Sequence, residues 1–157
     1  MAPFIHVSTD RPTRFSDGSF GVYYAGDSLA VALLEVAHHH GRFMTRTHEE
    51  PGWTSDFRQL IGNVQADLHD ALTAANRDAV MAPNDWSAGQ ALGAALRAAN
   101  ANGIVYPSVR CPGGRCVALF WPDVAGIPVQ GAHFALEWNG ERVTRIQNLN
   151  TSELLAV

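Results

Sequence analysis

The sequence predicts a mixed α+β fold in which strands near both ends of the chain enclose helices. Three observations support this: β-prone runs near both ends, two segments with apolar residues at helical spacing, and no regular alternation of strands and helices. A regular alternation would instead indicate a parallel βαβ sheet. At 157 residues the chain is long enough to bury one sizeable core, so we predict a single domain over residues 1–157.

The first part of the chain predicts a strand, a turn, a second strand and a helix. Residues 4–7, three of which are apolar, predict a short strand that ends at a polar turn. A turn cluster follows, and residues 20–25, rich in Val and Tyr, predict the second strand. Asp27 or Ser28 then provides a cap for a helix that we expect to end near Gly41.

The middle of the chain predicts two further helices. Residues 56–65 fit a strand and a helix equally well, whereas residues 66–75 predict a short helix. A longer helix is expected from Ser87 to about Asn100, because residues 87–90 match the capping-box pattern. We expect Asn102 and Gly103 to end it.

The last third of the chain predicts mostly strands. The β-prone runs occupy residues 104–106, 117–121, 133–138 and 142–146. Asn139 and Gly140, between the last two runs, are typical of a two-residue hairpin turn.

Composition and charge disfavour several classes of protein. The net charge of −4 and the pI near 5.9 argue against a protein that binds nucleic acid directly, since phosphate contacts need a basic surface. No apolar run approaches the length of a membrane span, and the N-terminus lacks the basic segment and apolar run of a signal peptide. We therefore expect a cytoplasmic protein that does not bind membranes.

Cys111 and Cys116 are the only cysteines in the chain, and four residues separate them. Such a pair is found in small disulfide loops and as half of a zinc site, but no second pair and no nearby histidine accompany it. The simplest interpretation is two reduced cysteines.

Glu35 is the only ionisable residue in the apolar stretch of residues 28–37. It is either a solvated residue on an amphipathic helix or a carboxylate placed at the mouth of a cleft. His38 and His39 are close enough along a helix to converge with it on a metal ion, but no clear third ligand appears. We therefore expect no metal, and histidines that complete the end of the helix.

Three other side chains have chemistry that suits a binding site. Arg14 lies in a turn-rich segment, where its guanidinium fork suits a phosphate or a carboxylate, although a lone arginine is more often a surface residue. Tyr23 and Tyr24 are adjacent in a predicted strand, so one faces the core and the other is able to line a pocket. Ser108 follows a predicted strand, a position typical of a turn-forming residue.

Together these positions resemble the RES-domain family of bacterial toxin–antitoxin toxins. The resemblance rests on RFSDG from Arg14, on Tyr24 ten residues later, on A-x-x-E ending at Glu35, and on GIVYPSVR, which contains Ser108. The sequence W-S-x-G-Q from Trp86 fits as well. The match extends over roughly residues 4–150, although an arginine-bearing strand ahead of Arg14 is missing and Ser-Asp replaces an Asn-Pro-like turn. We therefore expect a compact variant.

The resemblance implies an ADP-ribosyltransferase-like fold similar to the catalytic domain of diphtheria toxin, with a split β-sheet core and flanking helices. It implies an enzyme that uses NAD as a co-substrate, without a metal, and cleaves the nicotinamide–ribose bond. Glu35 would stabilise the oxocarbenium-like transition state, as carboxylates do in glycoside cleavage. Arg14 would hold a phosphate or orient the ribose, Tyr24 would stack on nicotinamide, and Ser108 would position the dinucleotide. We therefore expect these four residues to line one cleft.

The resemblance implies the possible classes of ADP-ribose acceptor and the kind of partner, but not their identities. Within the family the acceptor is a protein side chain, water or phosphate, and the compact chain favours a protein target. A cognate antitoxin is expected to block the NAD cleft. Two alternatives stay open: a non-catalytic binding module on the same scaffold, and a metal-dependent hydrolase that uses Glu35, His38 and His39.

Overall fold

A computed structural model describes residues 2–157 and shows a mixed α+β protein with two four-stranded sheets and four helices among these residues. The helices are α1 (Ala2–Ile5), α2 (Leu29–Met44), α3 (Arg77–Val80) and α4 (Ser87–Ala98). The strands are β1 (Tyr23–Gly26), β2 (Thr54–Ile61), β3 (His69–Asp70), β4 (Gly103–Pro107), β5 (Arg115–Leu119), β6 (Val129–Trp138), β7 (Val143–Asn148) and β8 (Leu154–Ala156).

The chain forms two compact units, each built from two separate segments. The first unit comprises the residues up to Val31 together with Asn63–Gly126, and the second comprises Ala32–Gly62 together with Ile127–Val157. The prediction of one domain over residues 1–157 stays a prediction, and its first residue, Met1, lies outside the described residues.

The first unit contains the sheet with strand order β1-β5-β4-β3. Only β3 and β4 pair in parallel there; β1 with β5 and β4 with β5 are antiparallel. Its core is apolar and aromatic, and its buried members are Phe15, Val22, Val31, Ala71, Val80, Met81, Ile104, Tyr106, Cys116, Ala118 and Phe120.

The second unit contains the antiparallel sheet with strand order β2-β6-β7-β8. Its core is smaller, and its buried members are Leu33, Ala37, Phe134, Leu136, Val143 and Ile146. The predicted hairpin joins β6 and β7, and Gly140 has the positive φ of 102° that favours glycine at such a turn. Its loop is longer than predicted, because Trp138 pairs with Val143 and residues 139–142 lie between the two strands.

The predicted strand at residues 4–7 is wrong, because residues 2–5 form the short helix α1. The ring of Phe4 stacks on Tyr23 with centroids 6.5 Å apart, and the backbone of Phe4 lies directly against Gly21. This segment therefore contacts the first unit through a ring and a close backbone approach and not through a strand ladder.

The predicted helix at residues 66–75 is also wrong, because β3 and a turn occupy this segment. The carboxylate of Asp70 accepts hydrogen bonds from Leu72 N–H at 2.6 Å and from the Thr73 hydroxyl at 3.0 Å. A side chain that binds the following backbone in this way competes with helical hydrogen bonding. The ambiguous segment at residues 56–65 is mostly the strand β2.

Helix α2 begins as predicted but extends further. The Ser28 hydroxyl accepts a hydrogen bond from Val31 N–H at 3.3 Å, as a capping residue does. The helix continues through Gly41 to Met44, which is 2% exposed. A Cβ added at Gly41 would be 3.4 Å from Val143 N, so this glycine lies close to β7 and does not end the helix.

Helix α4 is present as predicted, but neither of its ends is formed as expected. Asp85, not Ser87, accepts the hydrogen bond at its start, from Ser87 N–H at 2.9 Å, and Gln90 bonds elsewhere, so no capping box forms. At its end Asn100 adopts a positive φ of 55°, and Ala101 N–H bonds back to the Leu96 carbonyl at 2.9 Å. This arrangement resembles a Schellman motif, with asparagine in the place of glycine.

Candidate functional site

Arg14 lies in a tight loop that the surrounding structure holds in place. Thr13 N–H bonds to the carbonyl of Ser16 at 2.7 Å, which closes the loop, and the next residue, Phe15, is fully buried. The Arg14 guanidinium donates through Nη1 to the carbonyls of Val80 and Ala82 at 3.1 and 3.0 Å. Both the backbone and the charged head of Arg14 therefore have defined positions within the first unit.

Helix α4 packs directly on this loop through two glycines. A Cβ at Gly89 would lie 2.5 Å from the carbonyl oxygen of Arg14, and one at Gly93 would lie 2.0 Å from that of Phe15. Neither distance allows a side chain, so glycine is needed for the helix to approach the loop. Gln90 also donates from Nε2 to the Thr13 carbonyl at 3.0 Å. The W-S-x-G-Q sequence thus includes two residues that fix the Arg14 loop.

Sequence reasoning missed this role of helix α4. The W-S-x-G-Q match marked Gly89 and Gln90 as family positions, but nothing local assigned them a contact, and Gly93 lies outside that match. The four-residue spacing of the two glycines, which places them on one face of a helix, was the available clue.

Tyr24 supports the same loop through its hydroxyl group. The hydroxyl donates to Thr13 Oγ1 at 2.8 Å and accepts from Phe15 N–H at 3.2 Å. Burial raises the pKa of Tyr24 to about 12, so this phenol stays neutral at physiological pH. Its ring packs against the core of the first unit, while the ring of Tyr23 stacks on Phe4. Arg14 and Tyr24 therefore lie close together, and Tyr24 has a structural role at its polar end.

Ser108 lies at the end of β4 and organises the turn that follows. Its hydroxyl oxygen accepts hydrogen bonds from Arg110 N–H at 3.2 Å and Cys111 N–H at 2.9 Å, and its own N–H bonds to the Gly114 carbonyl at 2.9 Å. The side chain is buried, at 8% exposure. Ser108 is therefore a turn-forming residue, a role that the sequence also predicted for its position.

Ser108 is linked to the Arg14 loop through the core of the first unit. Tyr106, two residues earlier on β4, packs edge-to-face on Phe15 with ring centroids 4.9 Å apart. Phe15 directly follows Arg14, and its N–H binds the Tyr24 hydroxyl. The structure thus brings three of the four predicted residues into one unit around Phe15.

Glu35 lies in the second unit, on helix α2. Its side chain is 22% exposed, and its Oε2 is 3.8 Å from Nε2 of His39, one helical turn later. The carboxylate is therefore half-buried. This is less exposed than a fully solvated helix residue, one of the two environments that the sequence left open for Glu35. Its approach to Arg14 stays a prediction.

The three histidines after Glu35 lie within helix α2 and not at its end. His38 and His39 form an edge-to-face pair, and His40 contacts the rings of Phe43 and Phe57. Burial lowers the pKa of His40. Over residues 2–157, no three His, Cys, Asp or Glu side chains are grouped so as to hold a metal ion.

Two further expectations concerned the state of the cysteines and the absence of a membrane span. Cys111 and Cys116 do not form a disulfide; the first is partly exposed in the Ser108 turn and the second is buried on β5. In the part of the chain that the structure describes, no helix combines the length and apolar character needed to cross a membrane.

Comparison with known proteins identifies the family. No curated protein matches the chain. The model of the RES domain matches residues 1–139, which include Arg14, Tyr24, Glu35 and Ser108. RES domains are toxins of toxin–antitoxin systems that act on NAD, and they typically pair with an antitoxin. Because the match extends over most of its length, this chain belongs to the RES-domain family.

Proposed function

We propose that this protein cleaves the nicotinamide–ribose bond of NAD and transfers the ADP-ribosyl group to a side chain of a protein target. The observation that carries the proposal is the RES-domain match over residues 1–139, which contains all four of the site residues predicted from the sequence. The corresponding fold is ADP-ribosyltransferase-like, and the presence of two separate four-stranded sheets supports a split-sheet architecture.

The reaction requires stabilisation of positive charge on the ribose. The bond from C1′ of the ribose to the pyridinium nitrogen breaks, and its electron pair leaves with neutral nicotinamide. The resulting oxocarbenium is attacked at C1′ by the acceptor, which then loses a proton. A carboxylate beside the ribose stabilises this cation, and we assign that role to Glu35.

Arg14 suits the binding of a phosphate or the ribose. Guanidinium groups bind phosphate oxygens through paired N–H donors, and a fixed plane increases the selectivity of that contact. The bonds from Nη1 to Val80 and Ala82, and the packing of α4 on the loop backbone, support a fixed orientation. Substrate binding would then need to order the Arg14 side chain very little.

Tyr24 and Ser108 are assigned to binding of the dinucleotide. The two hydrogen bonds of the Tyr24 hydroxyl fix the ring, which favours stacking on the flat nicotinamide. Ser108 is held at the end of β4 by its bonds to the following turn, which favours positioning of the dinucleotide.

A cognate antitoxin completes the proposal, because an enzyme that consumes NAD inside a cell must be neutralised. The antitoxin is expected to place a polar or acidic group near Arg14, whose fork accepts a carboxylate as readily as a phosphate. Antitoxin and NAD should therefore compete, so the antitoxin should raise the apparent KM for NAD. Lower turnover with an unchanged KM would count against a shared cleft.

The deciding experiment identifies the product. The purified protein is incubated with NAD alone, with added phosphate and with cell lysate, and mass spectrometry follows nicotinamide and the ADP-ribose products. We expect nicotinamide release in step with ADP-ribosylation of a lysate protein. Free ADP-ribose would indicate an NAD glycohydrolase, and phosphorylated ADP-ribose an NAD phosphorylase. No nicotinamide release in any mixture would overturn the proposal and favour a non-catalytic binding module.

A further inference from the structure

Strand β2 forms a long edge of the second sheet, whose strand order is β2-β6-β7-β8. The strand has 8 residues and contains no proline, glycine or lysine. The opposite edge, β8, has only 3 residues. Proteins usually protect edges with short strands, lysine or proline, because an unprotected edge is a template for another strand. β2 is the longer edge and has neither lysine nor proline; its protection is limited to two charged side chains and a register shift between Arg58 and Leu60 in its pairing with β6.

The backbone of β2 presents alternate residues to a further strand. Trp138 N–H donates to the carbonyl of Trp53 at 2.9 Å, so Trp53 directs its carbonyl towards β6, while its N–H bonds to the carbonyl of Glu50 at 3.2 Å. In an antiparallel ladder this direction alternates along the strand. The backbone groups of Thr54, Asp56 and Arg58 are therefore directed away from β6, and the ladder shifts register after Arg58.

The charges on β2 are complementary to themselves. Asp56 and Arg58 are both exposed and, two residues apart, lie on the same face of the strand. In an antiparallel pair centred on Phe57, Asp56 of each copy lies opposite Arg58 of the other, and both have outward backbone groups. Arg58 already donates to Gln130 at 2.9 Å, but a guanidinium has five N–H groups and keeps its charge.

Neighbouring registers lack this match. Centring the pair on Asp56 places two carboxylates opposite each other, and centring it on Arg58 places two guanidinium groups opposite each other. Like charges directly opposite are destabilising. Among registers that keep the same side-chain faces together, the one centred on Phe57 is therefore favoured over both neighbours.

The same register also pairs exposed apolar residues on the other face. Trp53, which directly precedes β2, is 47% exposed, and Ile61, the last residue of β2, is 50% exposed. When the pair is centred on Phe57, Trp53 of each copy lies opposite Ile61 of the other. The charges on one face and the apolar residues on the other thus select one register.

We propose that a second copy of this chain pairs antiparallel with β2, centred on Phe57, to join the two second sheets into one. A pair of strands buries less area than a standard protein interface, so the dimer dissociates in the micromolar range or above. This inference is independent of the proposed NAD chemistry.

Charge reversal tests the register. Sedimentation equilibrium across a wide concentration range should show a monomer–dimer equilibrium for the wild type. Asp56→Arg and Arg58→Asp should each weaken it about tenfold, because each places like charges opposite each other twice. The double variant D56R/R58D restores opposite charges in the same register and should return the dissociation constant to near the wild-type value.

Further variants separate pairing from folding. Ile61→Ser should weaken the dimer several-fold, whereas Leu154→Ser on the opposite edge should leave it unchanged. Circular dichroism checks that each variant is folded. A wild type that stays monomeric at all concentrations, or a double variant no better than the single variants, would overturn the proposal.

Discussion

Helices α2 and α4 both carry motif residues of the RES family, but these residues meet different surroundings. In α4, the motif residue Gly89 and, one turn later, Gly93 lie against backbone carbonyls of the Arg14 loop, closer than any side chain would allow. In α2, Glu35 is partly exposed, and its contact with His39 is long, at 3.8 Å. The comparison indicates that the motif glycine in α4 maintains structure, whereas the motif carboxylate in α2 has no comparably close packing contact.

Adding a methyl group to α4 should give the largest loss of stability. Gly93→Ala places a Cβ 2.0 Å from the Phe15 carbonyl oxygen, so the helix or the loop must move. We expect the free energy of unfolding to fall by about 3 kcal/mol or more, measured by urea denaturation.

Gly41→Ala in α2 is the matched control for this change. Its added Cβ meets Val143 N at 3.4 Å, an ordinary contact, and alanine favours helix. Stability should stay level or rise by up to about 1 kcal/mol. Equal losses of stability in Gly93→Ala and Gly41→Ala would show that close packing of glycine does not distinguish α4 from α2.

Glu35→Gln should have the opposite profile, with a large loss of activity and little loss of stability. Glutamine keeps the shape of the side chain but removes the charge that stabilises the oxocarbenium. We expect NAD cleavage to fall about 10²–10³-fold while the free energy of unfolding changes by less than about 1 kcal/mol. Nicotinamide release and urea denaturation measure the two effects, and wild-type turnover in a folded variant would refute the role.

High pH should loosen the Arg14 loop through Tyr24. Burial raises its pKa to about 12 from the ordinary value of 10.0, so the folded state favours the neutral phenol. This contribution to stability is complete below pH 10 and is lost as the pH rises from 10 to 12, by roughly 2–3 kcal/mol. The difference in tyrosinate absorbance between wild type and Tyr24→Phe should have its midpoint near pH 12. A midpoint near pH 10 would mean that the hydroxyl is solvated.

Removing His39 should have the smallest effect. The pair with Glu35 is solvent-exposed on the histidine side, at 57%, and such pairs contribute little. His39→Ala should change stability by no more than about 0.5 kcal/mol and leave NAD cleavage near the wild-type rate. A loss of activity comparable with that of Glu35→Gln would show that His39 takes part in the chemistry.

The features predictable from the sequence were those set by local chemistry. The Ser28 cap needs only its own hydroxyl and a nearby N–H, and the turn at Gly140 needs only a residue that accepts positive φ. The predictions were wrong for segments whose structure depends on contacts that the local pattern of apolar and polar residues does not encode. Asp70 binds the backbone after it, and Phe4 stacks on a residue nineteen positions away.

The candidate site divides in the same way. The RES motif selected Arg14, Tyr24 and Ser108, and the structure brings these three into one unit. The hydrogen bonds of the Tyr24 hydroxyl to Thr13 and Phe15 were not predictable from the sequence. The loop that they support is formed by residues that come together only on folding. Glu35 followed from the motif and from its apolar neighbours in sequence.

The spacing of Gly89 and Gly93 also determines where the chain tolerates changes in length. The two glycines are one helical turn apart and contact consecutive residues, Arg14 and Phe15. Inserting one residue between them would rotate the second by about 100° and put a side chain against the loop. Gly113 has no atom within 4 Å of an added Cβ, so the tip of the turn after Ser108 has room for inserted residues. Length variation should therefore accumulate near Gly113 and be absent from residues 89–93.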